Sequence, residues 1–127
     1  MTIIAGIVIG LLLMIHGFAH WNITTLWGRQ PERGSWLLSS LGVPAASVHS
    51  LGAALWIAAL LVLFAAGVGA TFHQGWWRAL ATAGAAISLL VIALFWSRTM
   101  LIGAAVDIGM LVALLWARWP TPQIVGA

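Results

Sequence analysis

The chain has 127 residues, 63% of them hydrophobic and only 6% charged, with a mean hydropathy of +1.10. A soluble domain carries about 25% charged residues, so this composition excludes a water-soluble globule and leaves an integral membrane protein, expected to place any chemistry within the bundle or at its mouth. The formal charge of +3 comes from five arginines set singly at segment ends, a pattern that snorkelling accounts for and that excludes a nucleic-acid surface; the absence of cysteine excludes disulfides, thiolate metal sites and dithiol redox chemistry.

At about 20 residues per helical crossing, the chain is expected to be all-α. It reads as a single transmembrane domain over residues 1–127, an antiparallel up-down bundle of four helices. The first span covers about residues 2–25. Its apolar run continues into HGFAHW rather than into a small-residue cleavage site, so it is expected to be a retained span. His16 and His20, at i and i+4, share one of its faces, and Gly6, Gly10 and Gly17 lie on the adjacent face, where another helix can pack tightly. The connection after it carries Arg29, Glu32, Arg33 and the stretch SWLLSSLGV. That stretch suits a surface linker first, and otherwise a short interfacial helix or a lid over the bundle mouth.

The second span is expected over about residues 44–70, with Pro44 in the first turn, where its missing N–H does no harm. His49 and Trp56, seven residues apart, share a face of it. A tight TFHQG connection leads to the third span, about 76–97, and only Ser97, Arg98 and Thr99 separate that span from the fourth, about 100–118. Tryptophan marks the membrane interfaces: Trp21, Trp27, Trp36 and Trp96 fall on one side, and Trp76, Trp77, Trp116 and Trp119 on the other. Trp56 is the exception, deep in its span. The arginines divide too evenly, Arg29, Arg33 and Arg98 against Arg78 and Arg118, to set the orientation. Gly6-x-x-x-Gly10 and Ala105-x-x-x-Gly109 favour close packing within the bundle over a dedicated dimer face.

Asp107 is the informative residue. A charge near the centre of a membrane helix costs roughly 2.5–3.5 kcal/mol on insertion scales. Its own helical face offers Met100, Gly103, Met110, Leu111 and Leu114, none of which can satisfy a carboxylate. A partner must come from another helix. At a rise of 1.5 Å per residue, His16 lies ~8 Å inward of Trp21 and His49 ~8 Å inward of Pro44. Asp107 lies ~13 Å inward of Arg98 from the same side, and Ser88 reaches a similar depth. His16, His49 and Asp107 are therefore the expected catalytic groups. His20 and Trp56 join them as candidates for holding a cofactor, although His20 taken alone reads as an interface anchor and Trp56 taken alone as core. His73 belongs to the opposite side.

His16 and His20 leave one face and cannot supply opposite axial ligands to a haem. A single transition metal held by His16, His20, His49 and Asp107 is chemically sensible. A quinone or similar lipophilic head group fits the remaining features: it needs an apolar slot open to the bilayer, aromatic walls (here Phe18, Trp21 and Trp56) and groups that exchange protons with its oxygens.

The length, the four spans, a first span ending GLLLMIHGFAHW and a last span reading LIGAAVDIGMLVALL resemble the DoxX-like group of small bacterial membrane proteins. The resemblance implies a four-helix membrane fold in the cytoplasmic membrane of a prokaryote and, through members linked to quinone-coupled sulfur oxidation, a redox-linked role. It carries no established catalytic motif onto these residues, and this chain has no thiol to handle sulfur. Three readings follow. The first is a redox-linked protein binding a quinone or other lipophilic molecule among the membrane lipids, as a homo-oligomer or in a larger complex. The second is a non-catalytic subunit of a larger membrane complex, and the third a proton-coupled carrier in which Asp107 titrates.

Overall fold

A computed structural model describes the backbone of residues 2–29 and 34–125 and the side chains of 3–22 and 34–124. Four long apolar helices cross the expected thickness: α1 (Thr2–Arg29), α3 (Ala45–Thr71), α4 (Trp77–Leu94) and a last span made of α5 (Leu101–Leu111) and a π-helical turn (Val112–Trp116). Two short α-helices, α2 (Trp36–Ser40) and α6 (Pro122–Val125), and a 3-10 turn (Arg98–Met100) that leads into α5 make up the other helical elements described. No strand occurs among the described residues. This is the all-α four-helix membrane bundle read from composition, and the protein is a multi-pass membrane protein. The expectations for Glu32 and Arg33, and for the side chains of Trp27 and Arg29, lie outside the described residues.

The helices pack in the order α1, α3, α4, α5, each on the next. Glycine sets the first contact. A Cβ on Gly10 would sit 2.6 Å from the carbonyl oxygen of Gly67, and one on Gly67 would sit 2.6 Å from that of Gly10. Only hydrogen fits on either side, so α1 and α3 touch backbone to backbone along Gly6, Gly10 and Gly17. The other small pair behaves differently. Ala105 and Gly109 face outward, and nothing lies within 4 Å of a Cβ built on Gly109, because the opposite side of α5 is the one that packs on α4.

The buried apolar side chains form two layers. One gathers Val48, Trp56, Val91, Ile92, Phe95, Met100 and Ala104; the other gathers Leu13, Leu63, Ala66, Ala70, Trp77 and Ala81. Trp77 corrects its expected place at the interface. Successive residues turn by 100°, so Trp76 points outward while Trp77 turns into the core, with the Arg78 guanidinium 5.3 Å from its ring.

The SWLLSSLGV stretch forms the short helix α2, and it is docked. Ser35 caps it by accepting from the Leu38 N–H at 3.2 Å, and its hydroxyl donates to the carbonyl of Leu94 at 2.6 Å. The Trp36 indole N–H donates to the carbonyl of Ala93 at 2.7 Å. These two carbonyls belong to the last turn of α4, which has no intrahelical donors left for them. The linker therefore serves as the cap of the third span. Gly42, with φ +77°, and Pro44 then turn the chain into α3. Beyond the fourth span the chain folds back, and α6 packs on α1.

Candidate functional site

Between the two apolar layers lies a polar one, drawn from three helices. His16 on α1 meets Asp107 on α5, with Nε2 2.8 Å from Oδ1. The Ser88 hydroxyl on α4 donates to the other carboxylate oxygen, Oδ2, in a short hydrogen bond. The same Ser88 oxygen lies 3.2 Å from Nε2 of His20. The four side chains thus form one continuous run, His16–Asp107–Ser88–His20. Asp107 and Ser88 are fully buried, and His20 is 3% exposed. Only His16, at 15%, reaches outward.

Local sequence explains why these groups meet. The i, i+4 spacing puts both imidazoles on one side of α1, with ring centroids 5.4 Å apart. Asp107 lies on the face of α5 that turns toward α4 and α1, beside the buried Ala104, whose small side chain lets the helices approach. Ser88 stands where a larger side chain would part them. Each carboxylate oxygen thereby gains a donor, which offsets the cost of a charge at this depth.

The remaining expected residues are distributed unevenly. His20, expected as an interface anchor, is instead enclosed, with its ring 5.1 Å from that of Trp56. Trp56 is buried behind His20, and its indole N–H has no hydrogen-bond partner among the described residues. The carboxylate hydrogen-bonds His16 and Ser88, and His49 is not part of that run. It sits two turns, ~10 Å, along α3 from Trp56 toward Pro44. Among the described residues no three His, Cys, Asp or Glu side chains are placed to hold one metal ion; the set His16, His20, His49 and Asp107 is not gathered. His73 lies at the other end of the bundle, against Gly6.

Beside the polar layer is a cavity of about 470 Å³. It lies between α1 and α5, which do not pack closely and are bridged at His16 and Asp107. Leu12 and His16 of α1 form one wall, Val106 and Met110 of α5 the other, and Trp77 and Ala81 of α4 the floor. The chain after the fourth span closes its far end with Trp119 and Pro120. Its surface is almost wholly apolar and it opens sideways, toward the region lipid would occupy. Phe18 and Trp21, expected as walls, point outward instead and do not line it. Residue types gave no hint of the true walls, since Leu, Met and Ala are what any membrane helix displays. Ser88 had a faint signal: it is a hydroxyl at the depth of Asp107 in the run AAISLLV.

No family model matches this chain, and no curated protein or solved structure matches it.

Proposed function

We propose that this membrane protein binds a lipophilic ring compound of the quinone class in the groove between α1 and α5, in a redox-linked role. The observation that carries the reading is the position of His16. Among the described residues it is the one titratable side chain lining an otherwise largely apolar groove, and a buried carboxylate holds it there. A volume of about 470 Å³ suits a small ring with part of a tail. The lateral opening suits a ligand that arrives through the bilayer. A bound quinone supplies two-electron, two-proton redox chemistry. The chain's part is to exclude water with Leu12, Val106, Met110 and Trp77, and to hold or move a proton at the His16 ring. Membership of the DoxX-like group and a place in a prokaryotic cytoplasmic membrane belong to the same proposal.

One observation favours a second reading, a subunit of a larger membrane complex. The fourth span is only 11% buried, against 28–39% for the other three. Its outer face also carries the small pair Ala105 and Gly109. A carrier has less support, because Asp107 is enclosed and engaged on both oxygens rather than open to a pathway.

The test is binding of a 1,4-benzoquinone with one isoprenyl tail, offered in both its oxidised form and its reduced hydroquinone form, to the purified protein in nanodiscs. Saturable binding is expected. Asp107→Leu should keep the helical content and elution volume but weaken binding at least about tenfold, the loss of one hydrogen bond to a charged group. Equal affinity in the variant, or no saturable binding of either form by the unaltered protein, removes the proposal. Recovery of the protein solely within a larger assembly supports the subunit reading.

A further inference from the structure

With Asp107 as a carboxylate and His16 as a neutral imidazole, the hydrogen-bond run sets which way its protons point, and that narrows the ligand. Ser88 has one hydroxyl hydrogen, and it goes to Oδ2 of Asp107. The 3.2 Å contact with His20 must then run the other way, from the His20 Nε2–H to the Ser88 oxygen. An ionised carboxylate only accepts, so the 2.8 Å contact at Oδ1 is a donation from the His16 Nε2–H. A neutral imidazole that carries its hydrogen on Nε2 presents a lone pair at Nδ1. Nδ1 of His16 makes no hydrogen bond among the described residues. Asp107 therefore holds His16 in the tautomer that leaves an acceptor, not a donor, for whatever lies in the groove.

We infer that the groove recognises its ligand through a ring hydroxyl, so that the species bound is a phenol or hydroquinone rather than a bare quinone, and that Nδ1 of His16 takes the hydroxyl proton. The inference rests on the groove being the ligand site. In the step the ligand O–H bond breaks and an N–H bond forms at Nδ1. No electrons change hands, and the imidazolium that results is balanced by the Asp107 carboxylate beside it. Among the described residues, the polar groups around His16 fit this assignment: His20 lies on its own helix, Ser88 on α4 and Asp107 on α5, while α3 contributes Trp56 behind His20. Ser88 is a positioning residue. By occupying Oδ2 it keeps Oδ1 turned to His16. A bare carbonyl ligand would meet lone pair against lone pair at Nδ1, whereas a hydroxyl is satisfied there, and a site built for a hydroxyl rejects the analogue without one.

The test uses a probe pair differing only at the hydroxyl, 2-hexyl-4-nitrophenol and its methyl ether, with the protein in nanodiscs and partition into empty nanodiscs subtracted. The phenol should bind at least about tenfold tighter than the ether. At a pH where the free probe is protonated, the bound probe should show the yellow phenolate absorption. His16→Asn should abolish both the preference and the colour. Ser88→Ala should retain binding of the ether but reduce the phenolate signal. Equal affinities for the two probes, or a bound phenol that stays colourless, overturn the inference while leaving the groove reading standing. If neither probe binds, the groove reading falls and takes the inference with it. The comparison of probes on the unaltered protein needs no variant to fold.

Discussion

Helix α1 makes two interfaces of opposite kind. On its α3 side, Gly6, Gly10 and Gly17 bring two backbones together so closely that no side chain fits between them. On its α5 side, Leu12 and His16 face an open groove, and one polar bridge spans the gap. In lipid the helices gain little from the hydrophobic effect, because acyl chains are as apolar as leucine. Association then depends on close packing and on polar contacts, and here each has been assigned to a separate flank. The closed seam holds the bundle together without chemistry. The bridged gap is held by one carboxylate, and it leaves room for a guest.

The largest effect should come from opening the seam. Gly10→Ala would place a carbon 2.6 Å from the Gly67 carbonyl, a backbone atom that cannot swing aside. The helices would have to part along their length. A loss of about 1–3 kcal/mol is expected, read by unfolding the protein in mixed detergent micelles. Gly67→Ala meets the same obstacle from the other side and should cost about as much. If both variants unfold with the unaltered protein, the backbone contact is not what joins α1 to α3.

Filling the groove should separate binding from stability. Ala81 is buried at its floor, and a larger side chain there has only the cavity to enter. Ala81→Phe should reduce affinity for the isoprenyl hydroquinone about tenfold or more, a cost on the order of 1.4 kcal/mol. Unfolding should shift less than in Gly10→Ala. Unchanged affinity would place the ligand elsewhere and leave Asp107 a role in assembly alone.

Much of this contrast was legible in the residues. The spacing of Gly6, Gly10 and Gly17 marks a packing face, and the cost of Asp107 at mid-membrane obliges a partner on another helix. Counting the rise along each span brought His16 and Ser88 to its depth. Depth does not fix direction around a helix, however, and the hydrogen bonds of the carboxylate run to His16 and Ser88 rather than along the expected line to His49. Ser88 stood outside the expected site because a serine in a helix can satisfy itself on its own backbone and so obliges nothing. Trp76 and Trp77 read alike as interface residues, yet a 100° turn separates them, and only the position of Leu63 and Ala81 determines which one is buried. The groove left no trace, since its walls are chemically identical to the surface that meets lipid.

The smallest effect makes the sharpest control, because it uses the same substitution on a glycine with no seam. Gly109 repeats the small-residue spacing of Gly10, with Ala105 four positions before it, but a Cβ there meets nothing within 4 Å. Alanine loses less backbone freedom on entering a helix than glycine does, by roughly 0.5–1 kcal/mol. Gly109→Ala should therefore leave unfolding unchanged or raise stability by up to that amount, opposite in sign to Gly10→Ala. Sign, rather than size, carries the argument: a shared motif has a cost only where a second backbone lies against it. Should Gly109→Ala destabilise the protein as Gly10→Ala does, the outer face of the fourth span is itself a closed seam in the assembled protein. The subunit reading would then account for its low burial better than lipid does.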